Sequence, residues 1–141
     1  MAAEKERWLL GIWTNFGECG KIAYWNDVPI GFACYAPAHF FPQIKAYKFQ
    51  PYPKIEDDVI FICCLYIIEE SLRRKEIGTE LLKLILKDLR DRGYRFVETF
   101  ARRGSANNPS GPLEFYLSAG FEVVDESNPE FPLVRIDLKK I

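Results

Sequence analysis

The sequence has a single histidine, His39, and its four cysteines (Cys19, Cys34, Cys63 and Cys64) contain no C-x-x-C spacing, so it carries no metal-ligand pattern. Neither G-x-x-x-x-G-K-[ST] nor G-x-G-x-x-G occurs, which removes the P-loop and the dinucleotide fingerprint. The longest apolar run, 59–68, falls well short of the ~20 residues a membrane-spanning helix needs. Residues 1–7 are mostly charged and no apolar stretch with a small-residue cleavage site follows, so no signal peptide is expected. A net charge of −1 gives no overall signature of nucleic-acid binding, and any basic function must be local. The chain also lacks internal repeats and low-complexity tracts. These absences point to a cytoplasmic protein with reduced thiols and no metal, nucleic-acid or membrane partner. Cys63 and Cys64 are neighbours in an apolar run, and a regular strand would point them to opposite faces as inert buried thiols.

What is present is a chain of 141 residues, 48% hydrophobic and 15% aromatic, enough for one domain over 1–141 with a well-filled core. Trp8, Leu9, Ile12, Trp13 and Phe16 recur every three to four residues, which predicts a helix within 1–18 with this face in the core. Residues 21–25 and 29–35 flank Asn26-Asp27 and read as a β-hairpin, with Gly31 marking a bulge or a weak point in its second strand. The stretch 37–58 holds four prolines and five aromatics and reads as a long loop, either a lid or a seal on one edge of the core.

The rest is organised around 58–104. Residues 59–68 are apolar on both faces, as in a strand covered on both sides. A basic turn follows (Arg73, Arg74, Lys75), then a helix over 80–92 with Ile77, Leu81, Ile85 and Leu89 on one stripe, stopped by Gly93, and a returning strand over 95–101. Strand, helix, strand with short connections predicts a right-handed parallel crossover. Cations oppose the dipole at a helix start, so three of them there suggest that an external anion supplies the missing charge. A short helix over 112–118 and strands over 121–125 and 133–138 complete the pattern.

Three marks in order carry a family resemblance. Arg73-Arg74-Lys75-Glu76-Ile77-Gly78 is similar to Arg/Gln-x-x-Gly-x-Gly/Ala, Asn107-Asn108 precedes the short helix, and 115–121 is similar to F-Y-x-x-x-G-F. Residues 59–141 thus resemble the GCN5-related N-acetyltransferases. The resemblance implies an α/β (α+β) fold with a mixed, mostly antiparallel central sheet, helices on both faces and the family's first strand missing. It implies that acetyl-CoA lies between the two central strands. The backbone of Tyr66, Ile67 and Ile68 would face the pantetheine arm, and Arg73, Arg74, Lys75, Glu76, Ile77, Gly78 and Thr79 the pyrophosphate, with Asn108 also in the cofactor set. Glu76 departs from the family by putting a carboxylate where the motif has its first glycine, and 66–72 is one residue longer than in many relatives.

The implied reaction is direct transfer of an acetyl group to a primary amine of a small molecule or protein. Tyr116, in the family's tyrosine position, is the expected acid for the departing thiolate. In histone-acetylating relatives the base is a glutamate at a position matching Ile60, which cannot serve; Asp58 is the expected substitute, with Glu69, Glu70 and His39 as alternatives. The alternative to an enzyme is a non-catalytic CoA-binding or interaction module on the same fold. A missing first strand also predicts an exposed sheet edge that a second subunit, in a homodimer, would cover.

Overall fold

The structure, a computed structural model, describes residues 2–40, 59–67, 76–103 and 112–141; the side chains of residues 2–6 and 8 are outside this description. Helix α1 (Ala2–Asn15) leads into the hairpin β1 (Gly20–Trp25) and β2 (Val28–Pro37), followed by a single 3-10 turn, Ala38–Phe40. Strand β3 (Val59–Ile67), helix α2 (Ile77–Asp91) and strand β4 (Phe96–Phe100) form the crossover. Helix α3 (Leu113–Ser118), β5 (Glu122–Asp125) and β6 (Leu133–Asp137) complete the order, and the sheet runs β1-β2-β3-β4-β6-β5. Among the described strands, β3 and β4 alone pair in parallel, and the other four ladders are antiparallel.

The hairpin turns through Asn26 (φ 49°) and Asp27 (φ 64°), two residue types that tolerate the left-handed region a two-residue turn requires. Alternation along the strands sends Ile60, Ile62, Val97, Val134 and Ile136 to one layer and Val59, Phe61, Phe100 and Leu133 to the other. The first layer is covered by α2 and α3. Helix α2 buries Leu81, Leu82, Ile85, Leu86 and Leu89 there, each worth about 2 kcal/mol of transfer free energy. Helix α1 covers the second layer through Ile12.

The expectation that the whole apolar stripe of α1 is core does not hold. Ile12 is buried and Phe16 half-buried, while Leu9 and Trp13 lie 51% and 61% exposed. Among the described side chains of this segment, Ile12 and, just past the helix, Phe16 make the contact with the sheet, and the periodicity cannot say how far the helix face is covered.

Arg92, just past α2, fixes the α1–β1 connection. Its guanidinium donates to the carbonyls of Phe16 (2.6 Å) and Glu18 (2.9 Å) and to the Asp88 carboxylate (3.1 Å), and lies 4.1 Å from the centroid of the Phe16 ring. Asp88 also accepts from the Tyr35 hydroxyl at 3.1 Å. Burial and then the neighbouring Asp88 carboxylate push the Tyr35 phenol well above its usual range. Gly93 (φ 91°) ends the helix, with the Tyr94 N–H returning to the Leu89 carbonyl at 3.0 Å.

Candidate functional site

Strand β3 contains one residue more than β2 can pair. Cys34 faces Cys64 and Tyr35 faces Ile62, so Cys63 is an extra residue in a β-bulge. The bulge shifts the phase of the strand: Ile60 and Ile62 pack in the helix-covered layer, and so do Leu65 and Ile67, three residues on. Cys63 and Cys64 therefore both face the opposite layer, which corrects the expectation that neighbours on this strand point to opposite faces. Bulges bend and twist the strand that carries them, and this one coincides with the parting of two strands.

The parallel ladder between β3 and β4 spans Val59↔Phe96, Ile60↔Val97 and Phe61↔Glu98 and stops there. Immediately beyond, the Thr99 hydroxyl donates to the Ile62 carbonyl at 2.8 Å. From that point β3 runs on to Ile67 beside β2, while β4 continues beside β6. A wedge opens between two strands at the centre of the sheet. An extended ligand arm with amide groups can add to the β3 edge there as a strand would.

Helix α2 begins at the mouth of this wedge. Glu76 precedes it with φ 60° and ψ 16°, the left-handed conformation that glycine adopts freely and other residues at a cost of about 1–2 kcal/mol. Its side chain is exposed and makes no capping hydrogen bond, while its carbonyl accepts from the Glu80 N–H at 3.0 Å. The amides of Ile77, Gly78 and Thr79 form the first helical turn, where backbone donors and the helix dipole favour an anion. A Cβ on Gly78 would sit 3.6 Å from the Phe115 ring and 3.9 Å from the Ile67 side chain. The end of β3, the start of α2 and helix α3 thus converge within van der Waals reach. A cleft of about 450 Å³ between α2 and α3, lined by Thr79, Leu82, Lys83, Glu114, Phe115 and Ser118, extends from this junction.

Tyr116 is next to Phe115 on α3 and is 1% exposed, with its ring edge-on to Phe115 and Phe121, each 5.2 Å between centroids. Tyr66 is half-buried with its ring 5.9 Å from that of Phe32, and Ile67 is buried. His39 is exposed on the 3-10 turn, its ring 4.4 Å from Phe40. Asp58, Ile68, Glu69, Glu70, Arg73, Arg74, Lys75 and Asn108 lie outside the described residues.

One residue that sequence reasoning passed over is Glu98. It is a 3% exposed carboxylate on the last rung of the β3–β4 ladder, accepting from Arg135 Nε at 2.8 Å across the β4–β6 pair. The sign that marks it is a lone carboxylate inside the otherwise uncharged strand 96–100.

The profile of the Acetyltransferase (GNAT) family matches residues 2–121. The chain belongs to that family. Among solved structures, PaiA N-acetyltransferase from Thermoplasma acidophilum, determined in complex with coenzyme A, superposes with a TM-score of 0.64 at 16% identity, over 96% of this chain and 70% of that one. Ard1 from Thermoplasma volcanium gives 0.63 at 14% identity, over 92% and 76%. Ribosomal-protein-alanine N-acetyltransferase from Brucella melitensis gives 0.63 at 17% identity, over 96% and 77%. At these identities the likeness establishes the GNAT fold: a mixed, mostly antiparallel sheet with helices on both faces. A comparison with proteins of curated function found no match.

Proposed function

We propose that this GNAT protein is an acetyl-CoA-dependent N-acetyltransferase that delivers an acetyl group directly to a primary amine. The observation that carries the reading is the wedge beyond Phe61↔Glu98, with the α2 N-terminus and the Ile67–Gly78–Phe115 junction at its mouth. In this reading the backbone of Tyr66 and Ile67, at the end of β3, together with that of Ile68, holds the pantetheine arm. The amides of Glu76, Ile77, Gly78 and Thr79, with Arg73, Arg74 and Lys75 and with Asn108 beyond, hold the phosphates. When bound, acetyl-CoA supplies an activated acyl group on a thiol leaving group.

The chain's own groups then manage two protons. Tyr116 gives its phenolic proton to the sulfur as the carbon–sulfur bond breaks, a transfer that on ordinary values (phenol near ~10, thiol near ~8.5) is uphill by about 2 kcal/mol. The amine's proton goes to a carboxylate. Asp58, immediately before β3, and Glu98, where β3 and β4 part, are the two in line. A reading without chemistry, a CoA-binding or interaction module, differs from this one in a single assay.

That assay is thiol release from acetyl-CoA with a panel of primary amines, run beside calorimetric titration of acetyl-CoA. Amine-dependent release supports the enzyme. Binding without release marks the module, and absence of binding rejects both. Tyr116→Phe is expected to lower kcat by about 10²-fold, the scale of general acid catalysis, with acetyl-CoA affinity nearly unchanged. A large loss of affinity in that variant would remove Tyr116 from the acid role. The pH–rate profiles of Asp58→Asn and Glu98→Gln identify the base as the variant that loses the acidic limb.

A further inference from the structure

The four cysteines come from three separate stretches of sequence and gather around one of them. Cys34 Sγ and Cys63 Sγ are 3.0 Å apart, Cys64 is the register partner of Cys34, and the Cys19 carbonyl accepts from the N–H of Tyr35, next to Cys34, at 2.8 Å. We propose that Cys34 and Cys63 are a dithiol–disulfide couple, a modification site oxidised by small disulfides of the glutathione type and reversed by thiols.

The bulge makes the pair. Without the extra residue a single β3 side chain would face Cys34; with it, Cys63 and Cys64 lie on the same side of the sheet as Cys34, and Cys63 is brought against it. The sulfurs need to approach by about 1 Å to reach the covalent distance of about 2.05 Å, on strands already joined by hydrogen bonds. Both residues are half-buried rather than sealed, which leaves a path for a small oxidant.

The pair is also polarised. A hydrogen bond from Cys63 lowers the Cys34 thiol below its usual range, which favours the thiolate there. The same bond, with burial, holds the Cys63 thiol protonated. Burial and then proximity to Cys34 also push up the thiols of Cys19 and Cys64, which makes them poorer attackers. The Cys34 thiolate attacks one sulfur of the small disulfide, whose S–S bond breaks and whose other half leaves as a thiolate that takes up a proton. Cys63 then gives its proton to solvent and attacks Cys34 Sγ, expelling the second half. The protein loses two electrons and two protons, and one small disulfide becomes two thiols.

The test is incubation of the reduced, full-length protein with oxidised glutathione at neutral pH, followed by intact mass and peptide mapping. The expected product has lost two hydrogens, carries a bond between the Cys34 peptide and the peptide holding Cys63, and reverts with dithiothreitol. Cys64→Ser and Cys19→Ser keep the bond. Cys63→Ser accumulates glutathione on Cys34, and Cys34→Ser forms no bond and reacts with glutathione disulfide at least about tenfold more slowly, as expected when the thiolate is removed. The proposal is overturned by glutathione persisting on Cys34 in the unsubstituted protein, by a bond that survives Cys63→Ser, or by four free thiols in the folded chain under conditions that oxidise the unfolded one.

Discussion

The Thr99 hydroxyl donates to the Ile62 carbonyl at the place where the backbone ladder of β3 and β4 gives out. It stands in for the next rung and fixes where the wedge begins. Thr99 is 4% exposed, so removing the donor leaves a buried carbonyl unpaired. Thr99→Val, which keeps the shape, is expected to cost about 1–3 kcal/mol. Urea denaturation reads this as a lower midpoint at an unchanged slope. An unchanged midpoint would mean that water or a shift of β3 replaces the bond.

Glu76 adopts a glycine conformation at the start of α2, where the phosphates are proposed to lie, and presents a carboxylate there. Glu76→Gly removes both the backbone strain and a negative charge that opposes an anionic ligand. Acetyl-CoA affinity measured by calorimetry is expected to rise by roughly tenfold, the effect of about 1.4 kcal/mol. An unchanged or weaker affinity would show that the carboxylate already points clear of the bound phosphates.

Gly31 pairs with Ile67 at the far end of β3, and a Cβ there would lie 2.6 Å from Ile67 Cδ1 and 3.0 Å from the Tyr66 carbonyl oxygen. Gly31→Ala forces the Ile67 side chain to turn and presses on the Tyr66 carbonyl, beside the place where the pantetheine arm is proposed to lie. The expected result is a loss of about 1–3 kcal/mol of stability, as for an overpacked core, together with a higher KM for acetyl-CoA. A variant that unfolds at the same urea concentration as the parent would contradict the close approach.

Tyr35 supplies a pH dependence. Its phenol ionises above the ordinary range in the folded protein, because of burial and the Asp88 carboxylate beside it, whereas in the unfolded chain it ionises near ~10. Above that pH the unfolded state releases a proton that the folded state keeps, so stability present at neutral pH declines as pH rises past about 10. Stability measured across the alkaline range is expected to fall, and Tyr35→Phe to flatten the fall.

The crossover, the hairpin and the short helix were legible because each is written in local terms: a 3.6-residue stripe, Asn26-Asp27, Gly93 and Gly120. The parallel pairing of β3 and β4 also followed from the short connections around α2. The bulge was not legible. Residues 59–67 are apolar throughout, so a change of phase leaves no mark in the pattern, and nothing in it sets Cys63 and Cys64 apart from alternating neighbours. Glu98 was hidden for a related reason, because its partner Arg135 lies on a strand far along the chain and only the fold pairs them. The exposure of Leu9 and Trp13 depends on how α1 lies on the sheet, which its own periodicity does not encode.

Cys63 has an implication for how this strand tolerates insertion and deletion. Removing that single residue would restore an uninterrupted pleat and leave Leu65 and Ile67 in the helix-covered layer beside the same β2 partners, with Cys64 alone facing Cys34. A relative without the bulge therefore aligns with its gap at Cys63, and a gap placed elsewhere in 59–67 assigns the side chains between gap and bulge to the wrong faces of β3.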